Sequence, residues 1–321
     1  MKLKIDFKTV VKSIKVFVAL LIMLFTLNET LYGKGLDKSA MFENSLADAL
    51  PQTVVAKMVR QHFDEPLPQG KTVKKTIIIG YDGVRADSVP LLKGATVSGI
   101  NEIAKDGGLY VSYAGGPNKY FDKQATSTAP GWASILTGVW GKENGCKDNG
   151  QPKSNDYLTV LTELVENGKA QSSVFKYIWS GHHGAKGATY TPEVEYTQAK
   201  GLNVRWEKCI WDDDLQESYL EEVRGDTCAD IIFGVYERPD SAGHNSGFTN
   251  KNPNYVDAVK GCDVDAYEII QAIRARDTYD TEDWQIIITS DHGGIRTSHG
   301  TQEVDCRATF IATNKPITIN G

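Results

Sequence analysis

The chain has no basic excess. Its 321 residues carry 35 Lys or Arg against 41 Asp or Glu, a formal net charge of −6. A protein that coats a polyanion needs surplus cations to neutralise a run of phosphates, so binding to a nucleic-acid duplex is not expected. Cysteine is scarce at five, and no two are spaced C-x-x-C. That excludes a zinc ribbon and a thioredoxin-like redox pair. Internal repeats and low-complexity tracts are missing, and apolar residues make up 40%. Disordered, collagen-like and coiled-coil chains are thereby excluded. A long apolar run is absent as well. The most apolar stretch, Val16 to Leu27, falls short of the ~20 residues that cross a bilayer.

That stretch follows Lys2, Lys4, Lys8, Lys12 and Lys15. A basic segment and then a short apolar one is the pattern of a secretory signal peptide. Residues 1–33 are therefore expected to direct export (secreted, periplasmic or cell-surface), with the cleavage point set only approximately, near Gly33. Membrane association follows only if the segment stays uncleaved. Export permits disulfides, and the odd cysteine count leaves at least one thiol unpaired. Cys209 and Cys228 are close enough in sequence to close a local loop.

Residues 34–70 read as a helical lead-in and linker. Met41, Leu46, Leu50, Val54, Val55, Met58 and Val59 give a mild helical stripe, broken by Pro51, before the linker 66–70. Residues 71–321 read as one domain. Apolar, β-branched runs at 76–80, 173–178, 229–236, 284–289 and 308–312 predict buried strands. Helical patterns near 131–138, 157–167, 212–224 and 254–275 fall between them. Strand–helix alternation predicts an α/β fold, a three-layer α/β/α sandwich with a mostly parallel central sheet.

Residues of metal-ligand type follow these strands, where such a sheet places its active site. Asp82 follows the first. Asp240 and His244 follow another, in Tyr-Glu-Arg-Pro-Asp-Ser-Ala-Gly-His. Asp291 and His292 follow a third, in Ser-Asp-His-Gly-Gly, and His299 lies seven residues on. Three carboxylates and three imidazoles suffice for two divalent ions that share substrate ligands. Nitrogen and oxygen donors without thiolate favour zinc. Taken singly, each residue is a cap, a turn residue or a surface histidine. The force lies in the combination.

A hydroxyl cluster supplies candidate nucleophiles. Thr126-Ser-Thr-Ala-Pro-Gly-Trp-Ala-Ser-Ile-Leu-Thr-Gly138 reads as a loop feeding a helix, with Pro130 in the first turn and Gly138 at the end. A hydroxyl at the helix N-terminus meets exposed N–H groups that favour an oxyanion. From local sequence, Thr126, Ser127 and Thr128 each remain open, as nucleophile or as simple N-cap.

These motifs together resemble the alkaline phosphatase superfamily, and within it the type I phosphodiesterase/nucleotide pyrophosphatase branch, over about residues 74–314. The resemblance implies an alkaline-phosphatase-like fold. It implies that Asp82, Thr128, Asp291 and His292 hold one zinc, and that Asp240, His244 and His299 hold the other. It makes Thr128 the nucleophile, passing through a phospho-threonine, and Asn149 a donor to a phosphate oxygen. It implies a small phosphodiester or phosphoanhydride substrate such as a nucleotide, with phosphomonoester or phosphonate hydrolysis as the alternative chemistry. A secreted metal-binding protein without catalysis is the alternative of a different class. The chain departs from the branch at Gly131, where Asn is common. Thr128-Ala-Pro-Gly-Trp132 lacks both the convertible Cys or Ser and the Arg of sulfatases, which disfavours sulfatase chemistry. His182 and His183 read as a Gly-flanked surface loop, with pocket lining as the alternative. Asp212-Asp-Asp214 reads as a solvated helix start.

Overall fold

The computed structural model describes residues 46–117 and 122–318. The expected export signal, and all residues before 46, lie outside them. The strands are β1 (Leu50–Pro51), β2 (Val73–Tyr81), β3 (Gly108–Tyr113), β4 (Ser173–Tyr177), β5 (Val204–Lys208), β6 (Ile231–Tyr236), β7 (Glu282–Thr289) and β8 (Ala308–Thr313). They form one sheet in the order β1-β3-β8-β7-β2-β6-β4-β5. Only β8 runs against its neighbours β3 and β7; the other pairs are parallel. The five strands expected from apolar runs are β2, β4, β6, β7 and β8.

The α-helices of six residues or more among the described residues are α1 (Val54–Asp64), α2 (Gly99–Ala104), α3 (Thr128–Thr137), α4 (Val160–Glu166), α5 (Thr191–Lys200), α6 (Asp212–Arg224), α7 (Arg238–Ser246) and α8 (Pro253–Arg274). Side chains alternate across the central strands, so the sheet needs cover on both faces. Ile77, Ile79 and Tyr81 of β2 meet Leu215, Tyr219 and Val223 of α6 and Val259, Ala266 and Ile270 of α8. Ile78, facing the other way, meets Val55 and Val59 of α1, Trp132 and Ile135 of α3, and Leu161 of α4. The three-layer sandwich follows. Each such fully buried Ile contributes about 1.5–3 kcal/mol relative to exposure.

The described part of the segment read as a lead-in and linker, residues 46–70, lies in the compact unit from Leu46 onward. β1 pairs with β3, and α1 buries five apolar side chains in the core. Pro51 does not break that helix; it ends β1, and the helix starts three residues later. The local disulfide is also absent: all five cysteines are buried and unpaired. No described helix is long and apolar enough to cross a membrane.

The sheet order fixes where the site must be. β6, β2 and β7 are adjacent and parallel, with Thr76–Tyr81 in register with Ile231–Tyr236 and Val73–Gly80 with Glu282–Thr289. Their C-terminal ends therefore lie side by side, about 4.8 Å apart. Asp82, Glu237 and Ser290 are the first residues beyond them.

Candidate metal centre

All six residues of metal-ligand type converge at these strand ends. Ligand atoms of Asp82, Asp291 and His292 lie within 4.8 Å of one another, and so do those of Asp240, His292 and His299. His292 is common to both groups. His244 joins the second through Asp240 Oδ2 at 3.3 Å and through His299 Nε2 at 3.1 Å. The reason is local. Asp240 and His244 are four apart on α7, so they share one helix face. The first group is fully buried, while the His244 side chain is 44% exposed. The cluster therefore opens to solvent on the His244 side.

Close packing of glycine makes this convergence possible. Gly83, with φ +71°, has Asp240 Cα 3.0 Å from where a Cβ would stand, and its N–H donates to Asp291 Oδ1 at 3.2 Å.

The three imidazoles are held alike. His244 Nδ1 is 2.9 Å from the Thr297 carbonyl, His292 Nδ1 is 2.7 Å from that of Gly293, and His299 Nδ1 is 3.1 Å from that of Thr126. A carbonyl only accepts, so each Nδ1 carries a proton and each Nε2 is the ring atom turned into the cluster. The Nε2 atoms of His244 and His299 face each other at 3.1 Å.

The charge balance is equally unsettled. Burial raises the Asp82 carboxyl, against the opposing pull of the neighbouring His292 and Trp132. Burial and then Asp82 raise Asp291 well above the usual carboxylate range. Burial disfavours His292 cation, but Asp291, Asp82 and Asp240 outweigh it and raise that pKa. Burial also pushes Asp240 up, yet His244, His292 and His299 bring it below the ordinary value. Contact with Asp240 raises His244, while burial and His292 lower His299 to about 3. Asp82 Oδ1, Asp240 Oδ1, Asp291 Oδ2 and His292 Nε2 are buried without a hydrogen-bond partner. Buried polar atoms are normally satisfied, and divalent cations at the two groups would satisfy these four. The donor set fits a metal centre.

The hydroxyl loop packs directly on this cluster. Trp132 Nε1 donates to Asp82 Oδ2 at 3.3 Å, and Gly131 lies against the Asp291 backbone. Thr126 is committed elsewhere, since its hydroxyl donates to the Thr301 carbonyl at 2.7 Å. Ser127 occupies the cap position of α3, but its buried Oγ makes no hydrogen bond. Thr128 is the first helical residue rather than the cap. Beside it, the Ala129 N–H donates to Asn149 Oδ1 at 2.9 Å. That bond ties the exposed Asn149 to the start of α3 through its amide oxygen.

Several contributors escaped the sequence reading. Trp132 lies four residues after Thr128, one helical turn on, and that spacing is the signal that would have found it. Glu237, first after β6, accepts the Trp179 N–H at 3.1 Å, and burial, then Asp82 and Asp240, raise it well above the usual range. The 179–184 loop is also corrected. His182 is fully buried among Phe175, Tyr177, Trp179 and Tyr190, and burial lowers its pKa to about 3. His183 is part-buried against Thr191. Asp212, read as solvated, is mostly buried against α7.

The layered sheet, with its cluster of carboxylates and imidazoles at parallel strand ends, shares its fold with solved hydrolases of phosphonate and sulfate esters. The model of the type I phosphodiesterase / nucleotide pyrophosphatase family matches residues 76–316, and the chain belongs to that family. Among solved structures, the phosphonate monoester hydrolase of Agrobacterium radiobacter aligns at 13% identity over 76% of this chain and 68% of its own, with a TM-score of 0.50. A 2-O GAG sulfatase aligns at 11% identity over 76% and 65%, with a TM-score of 0.51. Murine ectonucleotide pyrophosphatase / phosphodiesterase 5 aligns at 16% identity and a TM-score of 0.49, over 68% of this chain. The chain spans 57% of that relative's length. No curated protein sequence matches it.

Proposed function

We propose that the chain is an exported, metal-dependent hydrolase of phosphodiester or phosphoanhydride bonds, with Thr128 as its nucleophile. One observation carries this reading. The loop that presents Thr128 touches Asp82, Asp291 and His299 through Trp132, Gly131 and Thr126. Asp82, Asp291 and His292 would hold one divalent ion and Asp240, His244 and His299 the other, with zinc favoured by the donors. Bound there, the ions supply Lewis-acid charge to phosphoryl oxygens and favour the ionised hydroxyl.

Thr128 Oγ1 forms the new bond to phosphorus in line with the leaving oxygen, whose own bond to phosphorus breaks. The hydroxyl proton goes to solvent. Water then cleaves the phospho-threonine and restores the hydroxyl. The Asn149 amide and the N-terminus of α3 donate to the non-bridging oxygens, where charge accumulates. The acidic net charge supports a small substrate such as a nucleotide rather than a duplex. The basic and apolar N-terminal segment supports export, which N-terminal sequencing of the mature protein tests.

A zinc-loaded preparation assayed on a bis-aryl phosphate, an aryl phosphate and an aryl sulfate tests the reaction class. The diester should be preferred; higher efficiency on the monoester would overturn that class. Thr128→Ala should lower turnover by several orders of magnitude with most metal retained, and Thr128→Ser should keep part of it. If Thr128→Ala retained more than about a tenth of the activity, a barrier change of only ~1.4 kcal/mol, the covalent route would be wrong.

A further inference from the structure

Asp212 supports the centre from outside it. α7 carries Asp240 and His244, yet it buries only Pro239 and Gly243. Apolar packing therefore does little to set its position. Its N-terminus also lacks its own cap. The cap residue, Glu237, makes no side-chain cap bond; its carboxylate turns to the Trp179 N–H. The missing acceptor comes from another helix. Asp212, the first residue of α6, takes the Glu237 N–H at 2.7 Å and the Arg238 N–H at 3.4 Å on the same Oδ1. Arg238 adds a second tie, with Nη2 2.7 Å from Asp265 Oδ2 on α8 and Nε 3.9 Å from Asp212 Oδ1. The Asp212 side chain is only 17% exposed.

Its two neighbours behave differently. Asp213 is 98% exposed and reaches Arg238 Nη2 only at 3.8 Å, a solvent-screened ion pair, and Asp214 accepts the Trp211 N–H at the start of its own helix. The three consecutive carboxylates thus separate into one buried tie between helices, one exposed and weak ion pair, and one residue serving α6.

We propose that Asp212 is a positioning residue for the half of the metal centre built by Asp240 and His244. The proposal rests on reading the six residues as a metal centre. Asp240 lies two residues beyond Arg238, and His244 one turn further. Loss of the acceptor frees that helix start, and the two ligands move with it. Asp82, Asp291 and His292 directly follow β2 and β7 and stay in place. The expected effect is selective loss of one of two ions, not general weakening. Partners that orient metal ligands typically change affinity about 10–100-fold.

Cobalt titration followed by visible absorption, with zinc counted by elemental analysis, tests this on the full chain. The wild type should bind two ions. Asp212→Ala should keep one tightly and bind the second about 10–100-fold more weakly. Asp212→Asn retains an acceptor oxygen and should fall between the two, which keeps the test open should the Ala variant not fold. Asp213→Ala should match the wild type. Two ions at wild-type affinity in Asp212→Ala, or equal weakening of both in Asp212→Asn, would overturn the positioning role. A wild type that binds no divalent ion would overturn the metal reading, and the role of Asp212 with it.

Discussion

Gly131→Ala separates two physical effects of opposite sign. In an ordinary helix interior, Ala is better than Gly by ~1 kcal/mol. Gly131 sits inside α3, so propensity alone predicts a more stable protein. The packing predicts the reverse. A Cβ there would stand 2.8 Å from both Asp291 Cβ and Asp291 O, and 3.2 Å from Asp291 C. Carbon atoms prefer about 3.5–4.0 Å, so α3 and the Asp291 turn would have to part by roughly 1 Å. Overpacking of this kind costs about 1–3 kcal/mol. The net expectation is a loss of about 0–2 kcal/mol, a melting temperature lower by a few degrees for a unit of this size. Activity should fall further than stability. The same movement carries Thr128 away from Asp291, and a misplacement near 1 Å costs up to about 100-fold. Thermal unfolding and turnover of a bis-aryl phosphate on one preparation provide both readings. A raised melting temperature with unchanged turnover would refute the packing argument. It would also remove this account of why Gly, not Asn, stands here.

Two further outcomes follow from buried polar groups. Lys153 and Glu193 form an ion pair 2.5 Å long with both side chains fully buried, beside the segment that carries Asn149. Lys153→Met should cost about 3–5 kcal/mol in urea unfolding, and Lys153→Met with Glu193→Leu should recover much of it; equal losses in both variants would contradict this. His182 titrates at about 3 in the folded chain against about 6.5 unfolded. The unfolded chain therefore takes up the proton first, and stability is lost as pH falls from 6.5 toward 3. His182→Phe should reduce the decline between pH 6.5 and 4.5 by on the order of 2–3 kcal/mol, and an unchanged slope would exclude His182 as its source.

The central sheet was legible because its strands are buried on both faces. Thr76–Gly80 and Trp284–Thr289 read as continuous apolar runs for that reason. β3 and β5 were missed because they lie toward the edges. Val204-Arg-Trp-Glu-Lys208 is mostly half-exposed and keeps its charges, and Leu109 and Val111 of β3 face solvent. α7 was missed because its short sequence serves the site rather than a core, leaving no apolar stripe to find. The ligands were legible as residue types in post-strand turns, but their partition was not. His292 stands near both groups, which only the juxtaposition of β2, β6 and β7 reveals. Asp212 and His182 misled for a common reason. Burial of a polar group depends on what other segments bring to it, and local sequence carries no trace of that.

The three imidazoles differ from the Asp82 carboxylate in how they tolerate genetic change. Their orientation depends on the peptide oxygens of Thr126, Gly293 and Thr297. Every amino acid brings such an oxygen, so no codon change deletes one. Random mutagenesis of those three positions should therefore leave imidazole alignment intact wherever the chain path survives. Asp291 shares that protection, because its donor is the Gly83 peptide N–H. Asp82 does not: its donor is the Trp132 indole, which a single base change removes. Substitutions around the centre should therefore misalign Asp82 before they misalign the histidines.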